Sequence, residues 1–450
     1  MAEFQWFIPV FAGFACFASF AKFRRMMNPI ALLVLWWCLW LFVANFSPTG
    51  LSIPGIRTQV LVLVMLFSLV VGSMFACSTS SGAGNSVLRY NRRLQERWGW
   101  AFWVALVSTP VVGYYFFKAI RFIFSEGLLG YRGAVFGDLD RPSILFDSNY
   151  MELLYTIVLS PFIFLFVLAG AIFYLACHER KILCISLILL VMDAGMRLGR
   201  FNLYYFLFFL AMSTLLLYQR GGTRDGVGLV FGTALRKARG AMVTMMIAMV
   251  TLLMVISTLR DKEVENFADA IGRVAIEYHT VGFVLFDESL ENPSSGLNKE
   301  MSCGRSLFGG LDTLVVLALR RLDNDLQSVS NLNGPLMREF QVVGYDPVGN
   351  PILYNAFYTI LYTMYQDGRE FSFLVVPFLF GYFLSTRYLD WLRGGDIGTL
   401  MLLNALLYVG FFSLFQSPVE GIIFWISIIL LFIINRTRLP VRFVRAQRCV

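Results

Sequence analysis

Charged side chains stand where two apolar segments of the sequence meet. Asp193, Arg197 and Arg200 lie at the junction of the apolar runs 182–198 and 201–218. Ionisable groups beside hydrocarbon are costly and mark either a functional site or a paired structural one. The planar guanidinium group binds phosphate oxygens in pairs, so Arg197 and Arg200 could bind the pyrophosphate of a lipid carrier. Alternatively, Asp193 and Arg197 form an ion pair on one helix, and Arg200 reaches the lipid headgroups.

A second group of arginines lies in the loop 118–150. Arg132 precedes Gly133, which allows a ligand to come close to the chain. We expect Arg132 to form a second wall of a phosphate site. Arg121 and Arg141 fit a solvated loop at least as well.

The segment 273–287 has a helical pattern and carries three ionisable side chains. Arg273 and Glu277 are four residues apart, so they share one face of such a helix. His279 follows closely and is one of two histidines in the chain. A single histidine without a partner ligand makes a histidine-based metal site improbable, and a structural hydrogen bond is the alternative to a functional role.

Tyrosines recur through the segment 352–366. If the segment is helical, Asn355, Tyr358, Tyr362 and Tyr365 share one face. Aromatic rings with polar tips can stack on sugar rings and bond their hydroxyls. Tyrosines at a membrane interface also form aromatic belts, and both interpretations fit the pattern.

The composition indicates the elements that must position these residues. The chain has 450 residues, of which 58% are hydrophobic and 15% charged, and its mean hydropathy is +0.67. Soluble domains have about 45–50% apolar and about 25% charged residues, so a soluble globular enzyme is excluded. A helix needs about 20 apolar residues to cross the bilayer. The sequence therefore predicts an all-α polytopic membrane protein with no nucleic-acid partner.

Eleven segments, within a range of ten to twelve, are apolar enough to be spans. They fall near residues 4–21, 29–46, 58–77, 99–117, 151–177, 182–198, 201–218, 240–258, 371–388, 397–416 and 420–435.

The positive-inside rule orients these spans. The basic loops around Lys22, Arg89, Arg180 and Arg236 fall on the cytoplasmic side of eight N-terminal spans. The arginine-rich C-terminal tail is also cytoplasmic if 352–366 is a helix that lies at the outer mouth and does not cross. The predicted segments are an N-terminal bundle 1–258, a large periplasmic loop 259–351, a mouth helix 352–370, and C-terminal spans with a basic tail 371–450.

Four features, in this order, resemble the Wzy-type O-antigen polymerases over residues 190–390. They are Arg200 before an apolar span, a Tyr278…Gly282…Phe286-Asp287 stretch, a Gly-rich aromatic patch at 304–310, and a segment with Asn355, Tyr358-Thr359, Tyr365, Asp367 and Gly368. The family often has Phe between the last Asp and Gly, whereas Gly368 follows Asp367 directly here.

The resemblance implies a fold related to the GT-C membrane glycosyltransferases. It also implies a bacterial inner-membrane enzyme that works at the periplasmic face. Such an enzyme transfers a polymer from undecaprenyl pyrophosphate onto a new lipid-linked repeat unit. A separate protein that regulates chain length is a further candidate partner. O-antigen ligases carry a His-Asn pair where this chain has Tyr354-Asn355, which favours a polymerase.

The sugar–pyrophosphate bond of such a donor already supplies a good leaving group, so positioning and charge stabilisation dominate the chemistry. Arg200 is assigned to bind the pyrophosphate, and Arg132, Arg197 and Arg273 are expected to assist it. Asp193 is also assigned to the substrate-binding site. The candidate general bases are Glu277, His279 and Asp367. Sugar-binding roles fall to Tyr278, Asn355, Tyr358, Tyr362 and Tyr365. We expect no cofactor and no metal, because arginines can replace the cation.

Three other functional classes are alternatives for such a chain. A lipid-linked oligosaccharide flippase should carry charges through the depth of its spans and interrupted segments in two halves. Here the polar residues concentrate on one side. A structural membrane protein has no need of arginines at the outer ends of its spans. O-antigen ligase remains the alternative within the enzyme class.

Overall fold

The computed structural model describes most of the chain. The described residues are 4–78, 84–136, 145–146, 148–177, 179–197, 201–221, 272–298, 301–320, 322–323, 325–336, 340–346, 348–355 and 358–436, with Gly240, Val243, Ile247 and Thr251.

The chain forms two compact units that interleave along the sequence. The first unit comprises Met1–Thr79, Asn266–Leu389 and Val409–Trp425. The second unit comprises Ser80–Glu265, Asp390–Tyr408 and Ile426–Val450.

The first unit begins with three apolar helices. They are α1 (Phe7–Phe23), α2 (Pro29–Ala44) and α3 (Ile56–Phe75). The side chain of Asn28 caps α2 by accepting a hydrogen bond from the backbone N–H of Ala31 at 3.0 Å, and Pro29 takes the first helical position. Asp287 lies at the start of α3 and accepts hydrogen bonds from the Gly55 N–H at 2.8 Å and the Thr58 hydroxyl at 2.5 Å. A carboxylate stabilises this end of a helix.

Three more helices occupy the segment that was predicted to be a periplasmic loop. They are α9 (Tyr278–Glu291), α10 (Gly309–Leu319) and α11 (Val329–Leu336). A π-helical turn, Gly272–Glu277, leads into α9. The helical pattern predicted over 273–287 is therefore confirmed.

A β-hairpin corrects the expectation of a purely helical chain. Strands β1 (Gln341–Tyr345) and β2 (Pro351–Tyr354) pair antiparallel, with a bulge between Val342 and Gly344. Asp346 forms the turn by accepting hydrogen bonds from the backbone N–H groups of Val348 at 2.9 Å and Asn350 at 2.7 Å. The bonds from Asn350 hold the pKa of Asp346 below its ordinary value.

The predicted mouth helix 352–370 is therefore wrong at its N-terminal end. Helix α12 runs from Ile360 to Leu392, so Asn355 and Tyr358 precede it and share no helical face with Tyr362 and Tyr365. The helix is interrupted at Gly368 and Arg369, where the backbone leaves helical geometry. Pairing with strand β1 outweighs the local helical pattern at 351–354.

The second unit is built from five helical segments. They are α4 (Gly84–Phe136), α5 (Asn149–Leu154), α6 (Ser160–Cys177), α7 (Arg180–Arg197) and α8 (Phe201–Gly221). A π-helical turn, Tyr155–Leu159, joins α5 to α6. Helices α6 and α7 pack closely, because a Cβ at Gly170 would lie 2.5 Å from the Ser186 hydroxyl and 3.2 Å from the Leu183 Cα.

Two C-terminal helices contribute to both units. Helix α13 spans Ile397–Phe412, and α14 spans Ile422–Arg436. The short 3₁₀ turn Pro418–Glu420 separates them.

Among the described residues, four helical stretches are long and apolar enough to cross a membrane. They are Ile56–Phe75, Trp98–Gly127, Asn149–Cys177 and Ile360–Leu392. Shorter apolar helices accompany them at Phe7–Phe23, Pro29–Ala44, Gly309–Leu319, Ile397–Phe412 and Ile422–Asn435. The chain is mostly helical, as a helical membrane protein requires. Apart from isolated positions, the predicted span 240–258 lies outside the described residues.

Candidate functional site

Two arginines of the first unit converge on one tyrosine ring. The Nη2 atom of Arg57 donates hydrogen bonds to the Tyr365 hydroxyl at 3.0 Å and to the Glu370 Oε1 at 2.5 Å. The guanidinium carbons of Arg57 and Arg369 lie 5.7 Å and 5.1 Å from the centroid of the Tyr365 ring. We call Arg57, Tyr365, Arg369 and Glu370 the arginine–tyrosine cluster. It gathers two guanidinium groups around one ring, and guanidinium groups are well suited to bind phosphate oxygens.

The cluster is open to solvent and its backbone is strained. The side chains of Arg57 and Glu370 are 56% and 53% exposed, so this ion pair adds little to stability. Arg369 has a φ of +51°, a conformation that residues other than glycine rarely adopt. Its guanidinium group donates to the carbonyl oxygen of Leu297. Strain of this kind concentrates at functional sites.

Asp367 holds a loop against the start of α12. Its Oδ1 atom accepts hydrogen bonds from the hydroxyl of Ser302 and from the backbone N–H of Ser306 at 2.9 Å, and its Oδ2 atom accepts one from the N–H of Leu307 at 2.6 Å. Donors therefore engage both carboxylate oxygens. This geometry favours a positioning role for Asp367 over the predicted role of general base.

The predicted tyrosine stripe is buried. Tyr358, Tyr362 and Tyr365 are 4%, 2% and 5% exposed, and the rings of Tyr358 and Tyr362 have centroids 4.9 Å apart. Gln341 of β1 donates a hydrogen bond to the Tyr358 hydroxyl at 3.1 Å. Rings this buried do not form a lipid-facing belt, so that interpretation is corrected, and the sugar-binding role of the stripe stays a prediction. Asn355 is half-buried.

Glu277 and His279 also lie in the first unit. The Tyr354 hydroxyl donates to the Glu277 Oε2 at 2.5 Å, and the ring centroids of Tyr278 and Tyr354 lie 6.5 Å apart. The imidazole of His279 is packed among aromatic rings. Its centroid lies 4.0 Å from that of Trp40, 4.3 Å from that of Phe415 and 5.1 Å from that of Trp36. This packing favours the structural alternative for His279.

The second unit contains the predicted acid–arginine pair. The Arg197 Nε lies 3.3 Å from the Asp193 Oδ1, which also accepts a hydrogen bond from the Tyr155 hydroxyl at 2.7 Å. Arg197 donates from Nη2 to the Ser160 hydroxyl at 3.0 Å, and its guanidinium carbon lies 5.0 Å from the centroid of the Tyr155 ring. The Tyr131 hydroxyl bonds the carbonyl oxygen of Met196. The intrahelical ion pair, offered above as the structural alternative, is confirmed.

We expect Asp193→Ala to destabilise the protein by about 3 kcal/mol, because it removes the counter-charge of a largely buried arginine and the acceptor of a buried tyrosine hydroxyl. Asp193 is 4% exposed. The Arg197 side chain is 31% exposed, so solvent partly screens its charge and limits the loss of stability. Denaturant unfolding in detergent micelles measures the loss. Asp193→Asn keeps the acceptor for Tyr155 and should cost less. A loss equal for both variants would contradict the role given to that hydrogen bond.

The structure does not describe the side chains of three predicted arginines. Arg200 and the side chains of Arg132 and Arg273 lie outside the described residues. Conversely, the sequence analysis missed Arg57 and Arg369. Arg57 stands just before the apolar run 58–77, as Arg200 stands before the run 201–218, and this parallel was the available signal.

No group of three or more His, Cys, Asp or Glu side chains that could hold a metal ion occurs in the part of the chain that the structure describes. Comparison with protein-family models, with curated proteins and with solved structures finds no match to this chain.

Proposed function

We propose that the chain is a membrane glycosyltransferase that polymerises undecaprenyl-pyrophosphate-linked oligosaccharide repeat units at the periplasmic face. The observation that carries the proposal is the arginine–tyrosine cluster. It joins Tyr365 and the neighbourhood of Asp367, two positions of the polymerase-like motif, to two guanidinium groups. A second support is the order of the four sequence features that resemble the family.

In the proposed reaction, a hydroxyl of the acceptor sugar attacks the anomeric carbon of the polymer, and undecaprenyl pyrophosphate leaves. Negative charge grows on the leaving phosphate. Guanidinium groups fixed beside it lower the energy of that transition state. Arg57 and Arg369 take this role in the first unit. The roles of Arg132, Arg197, Arg200 and Arg273 stay predictions from the sequence.

The proposal includes an eleven-span, GT-C-like arrangement with a cytoplasmic C-terminus in the bacterial inner membrane. A topology reporter fused after Arg448 should then be cytoplasmic, and one inserted near Ser294 should be periplasmic. The reason is the concentration of arginine in the tail and in the short inner loops. Alkaline phosphatase and green fluorescent protein fusions measure the two sides. Both reporters on one side would contradict the arrangement.

The direct test is polymer synthesis by the purified protein. We expect detergent-solubilised protein to convert undecaprenyl-pyrophosphate-linked repeat units, extracted from cells that lack this chain, into a ladder on a gel. Transfer of single units onto lipid A, without a ladder, would favour the ligase. Movement of the substrate across vesicles without new glycosidic bonds would favour the flippase.

A further inference from the structure

Three polar groups in one turn of the first unit have no hydrogen-bond partner among the described residues. They are the hydroxyl oxygens of Ser413 and Ser417 and the Oε1 atom of Glu420. Both serines are 2% exposed. Buried polar atoms are normally paired, so three unpaired atoms within eight residues of chain require an explanation. We call Ser413, Ser417 and Glu420 the Ser–Glu turn.

The fold holds this turn firmly. The carbonyl oxygen of Ser413 accepts a hydrogen bond from the N–H of Ile360 at 3.0 Å, at the point where α12 begins. On the other side, two glycines at the start of α10 allow close approach. A Cβ at Gly310 would lie 2.5 Å from the carbonyl oxygen of Gly421, and one at Gly309 would lie 3.5 Å from the Glu420 Cα. The Gly-rich patch thus positions the turn.

Acidic and aromatic neighbours surround Glu420. Asp367 and Tyr362 of α12 lie within electrostatic range of its carboxylate. Helix α10 presents glycine backbone to it, and the indole N–H of Trp425 donates to the carbonyl oxygen of Val419 at 2.7 Å. Burial, with a smaller contribution from the charge of Asp367, raises the pKa of Glu420 to about 8.

The turn also has an accessible edge. Glu420 is half-buried, while Gln416 and Gly421 on either side of it are exposed. The unpaired Oε1 atom and the two serine hydroxyls are buried beneath this edge.

We propose that Glu420 is the general base of the transferase and that Ser413 and Ser417 bind hydroxyls of the acceptor sugar. This inference rests on the proposed function. The acceptor hydroxyl gives its proton to the Glu420 carboxylate as its oxygen forms the new bond to the anomeric carbon. The bond from that carbon to the pyrophosphate oxygen breaks, and the electron pair leaves with undecaprenyl pyrophosphate.

Glu420 suits this role better than the acids predicted from the sequence. Glu277 already accepts a hydrogen bond from Tyr354, and Asp367 accepts three from the 302–307 loop. Glu420 has a buried oxygen that no described donor engages. A base is most effective when its pKa lies near the working pH.

The test compares Glu420→Gln with the control Glu291→Gln, an exposed acid at the end of α9. Both proteins are reconstituted in nanodiscs with extracted undecaprenyl-pyrophosphate-linked repeat units, and initial rates of ladder formation are measured from pH 5.5 to 9. The wild-type rate should rise with pH and level off above about pH 8, because the carboxylate must be ionised to accept a proton. Glu420→Gln should lower kcat at least about 100-fold and abolish this rise. Glu291→Gln should change neither.

Thermal unfolding separates a folding defect from a chemical one. The folded-state pKa of Glu420 lies above its ordinary value, so its contribution to stability is lost as pH rises towards about 8. Glu420→Gln should therefore melt no lower than the wild type at pH 8 while making little polymer. A folded Glu420→Gln protein with the wild-type rate and pH profile would overturn the base assignment and leave the polymerase intact. A wild-type protein that makes no polymer would overturn both.

Ser417→Ala tests the sugar-binding half of the proposal. Loss of one hydrogen bond to the acceptor should raise KM about tenfold with kcat nearly unchanged. If the serines bind ordered water and no sugar, KM stays at the wild-type value and this half is wrong.

Discussion

Replacing Arg57 and Arg369 together by glutamine should lower the rate of polymer formation by more than about 100-fold, because each charged hydrogen bond contributes about 1.5–3 kcal/mol and about 1.4 kcal/mol corresponds to tenfold in rate. The two guanidinium carbons each lie within 6 Å of the centroid of the Tyr365 ring, and the proposed pyrophosphate site uses both cations. Ladder formation by the purified variants measures the loss. The expected change is mainly in kcat, because the charge on the leaving group grows in the transition state.

A matched control is Arg320→Gln. Arg320 is exposed and donates to the carbonyl oxygen of Leu326, away from the cluster. It should keep the wild-type rate. Arg57→Lys retains the charge but loses the planar fork, so its rate should fall between those of the wild type and Arg57→Gln. If the double variant polymerises normally at normal abundance, the cluster is not the pyrophosphate site.

Arg369→Gly separates charge from backbone strain. Glycine adopts a positive φ at no steric cost, so this variant should unfold at the same or a higher temperature than the wild type. It should nevertheless lose activity as Arg369→Gln does. A cluster whose strain serves the chemistry should show this opposition between stability and rate.

The sequence predicted most helices and missed the hairpin for one physical reason. Helices α1, α2 and α7 coincide closely with predicted apolar runs. A continuous apolar run is a local signal, because such a run must be buried or face lipid whatever the rest of the chain does. The hairpin depends on pairing between Gln341 and Tyr354 and on a bridge from Leu51 to Gly344. Strand β1 and Leu51 both lie outside the segment 352–366, so periodicity within that segment cannot reveal them.

The same distinction applies to the candidate site. The family-like motif pointed to Tyr365 and Asp367 because their spacing is local. Arg57 contacts Tyr365 across 308 residues of sequence. The only local sign of this contact in the sequence is an arginine directly before an apolar run. Glu420 was counted as the first residue of a predicted span, because the apolar residues after it dominate any average of hydropathy. A single acid at the end of a span is a candidate functional group for the same reason as Asp193, because an ionisable group beside hydrocarbon is costly.

A large loss of stability should follow from Gly381→Ala in α12 or Gly72→Ala in α3. A Cβ at Gly381 would lie 2.1 Å from the carbonyl oxygen of Leu69, and one at Gly72 would lie 2.0 Å from that of Phe378. Both obstacles are backbone atoms of an apolar helix, so rotation of a side chain cannot relieve them. Small residues let membrane helices approach until their backbones touch. We expect each variant to be destabilised by about 3 kcal/mol.

The control for this pair is Gly13→Ala in α1, where a Cβ would meet nothing within 4 Å. This variant should be as stable as the wild type or more stable, because alanine favours a helix more than glycine does. Unfolding by denaturant in detergent micelles, followed by tryptophan fluorescence, compares all three proteins. Equal stability of Gly13→Ala and Gly381→Ala would mean that the two backbones do not touch at Leu69.

The double variant Gly72→Ala and Gly381→Ala tests whether the two close contacts between α3 and α12 are energetically coupled. A single shift of α12 away from α3 would relieve both clashes, since Gly72 of α3 faces the backbone of α12 and Gly381 of α12 faces the backbone of α3. The double variant should therefore lose less stability than the sum of the two single losses, with a coupling of about 0.5–3 kcal/mol. The shift would also move the start of α12, so the rate of polymer formation should fall even where the protein stays folded. Strictly additive losses would show that the two contacts yield independently and that α12 bends between Phe378 and Gly381.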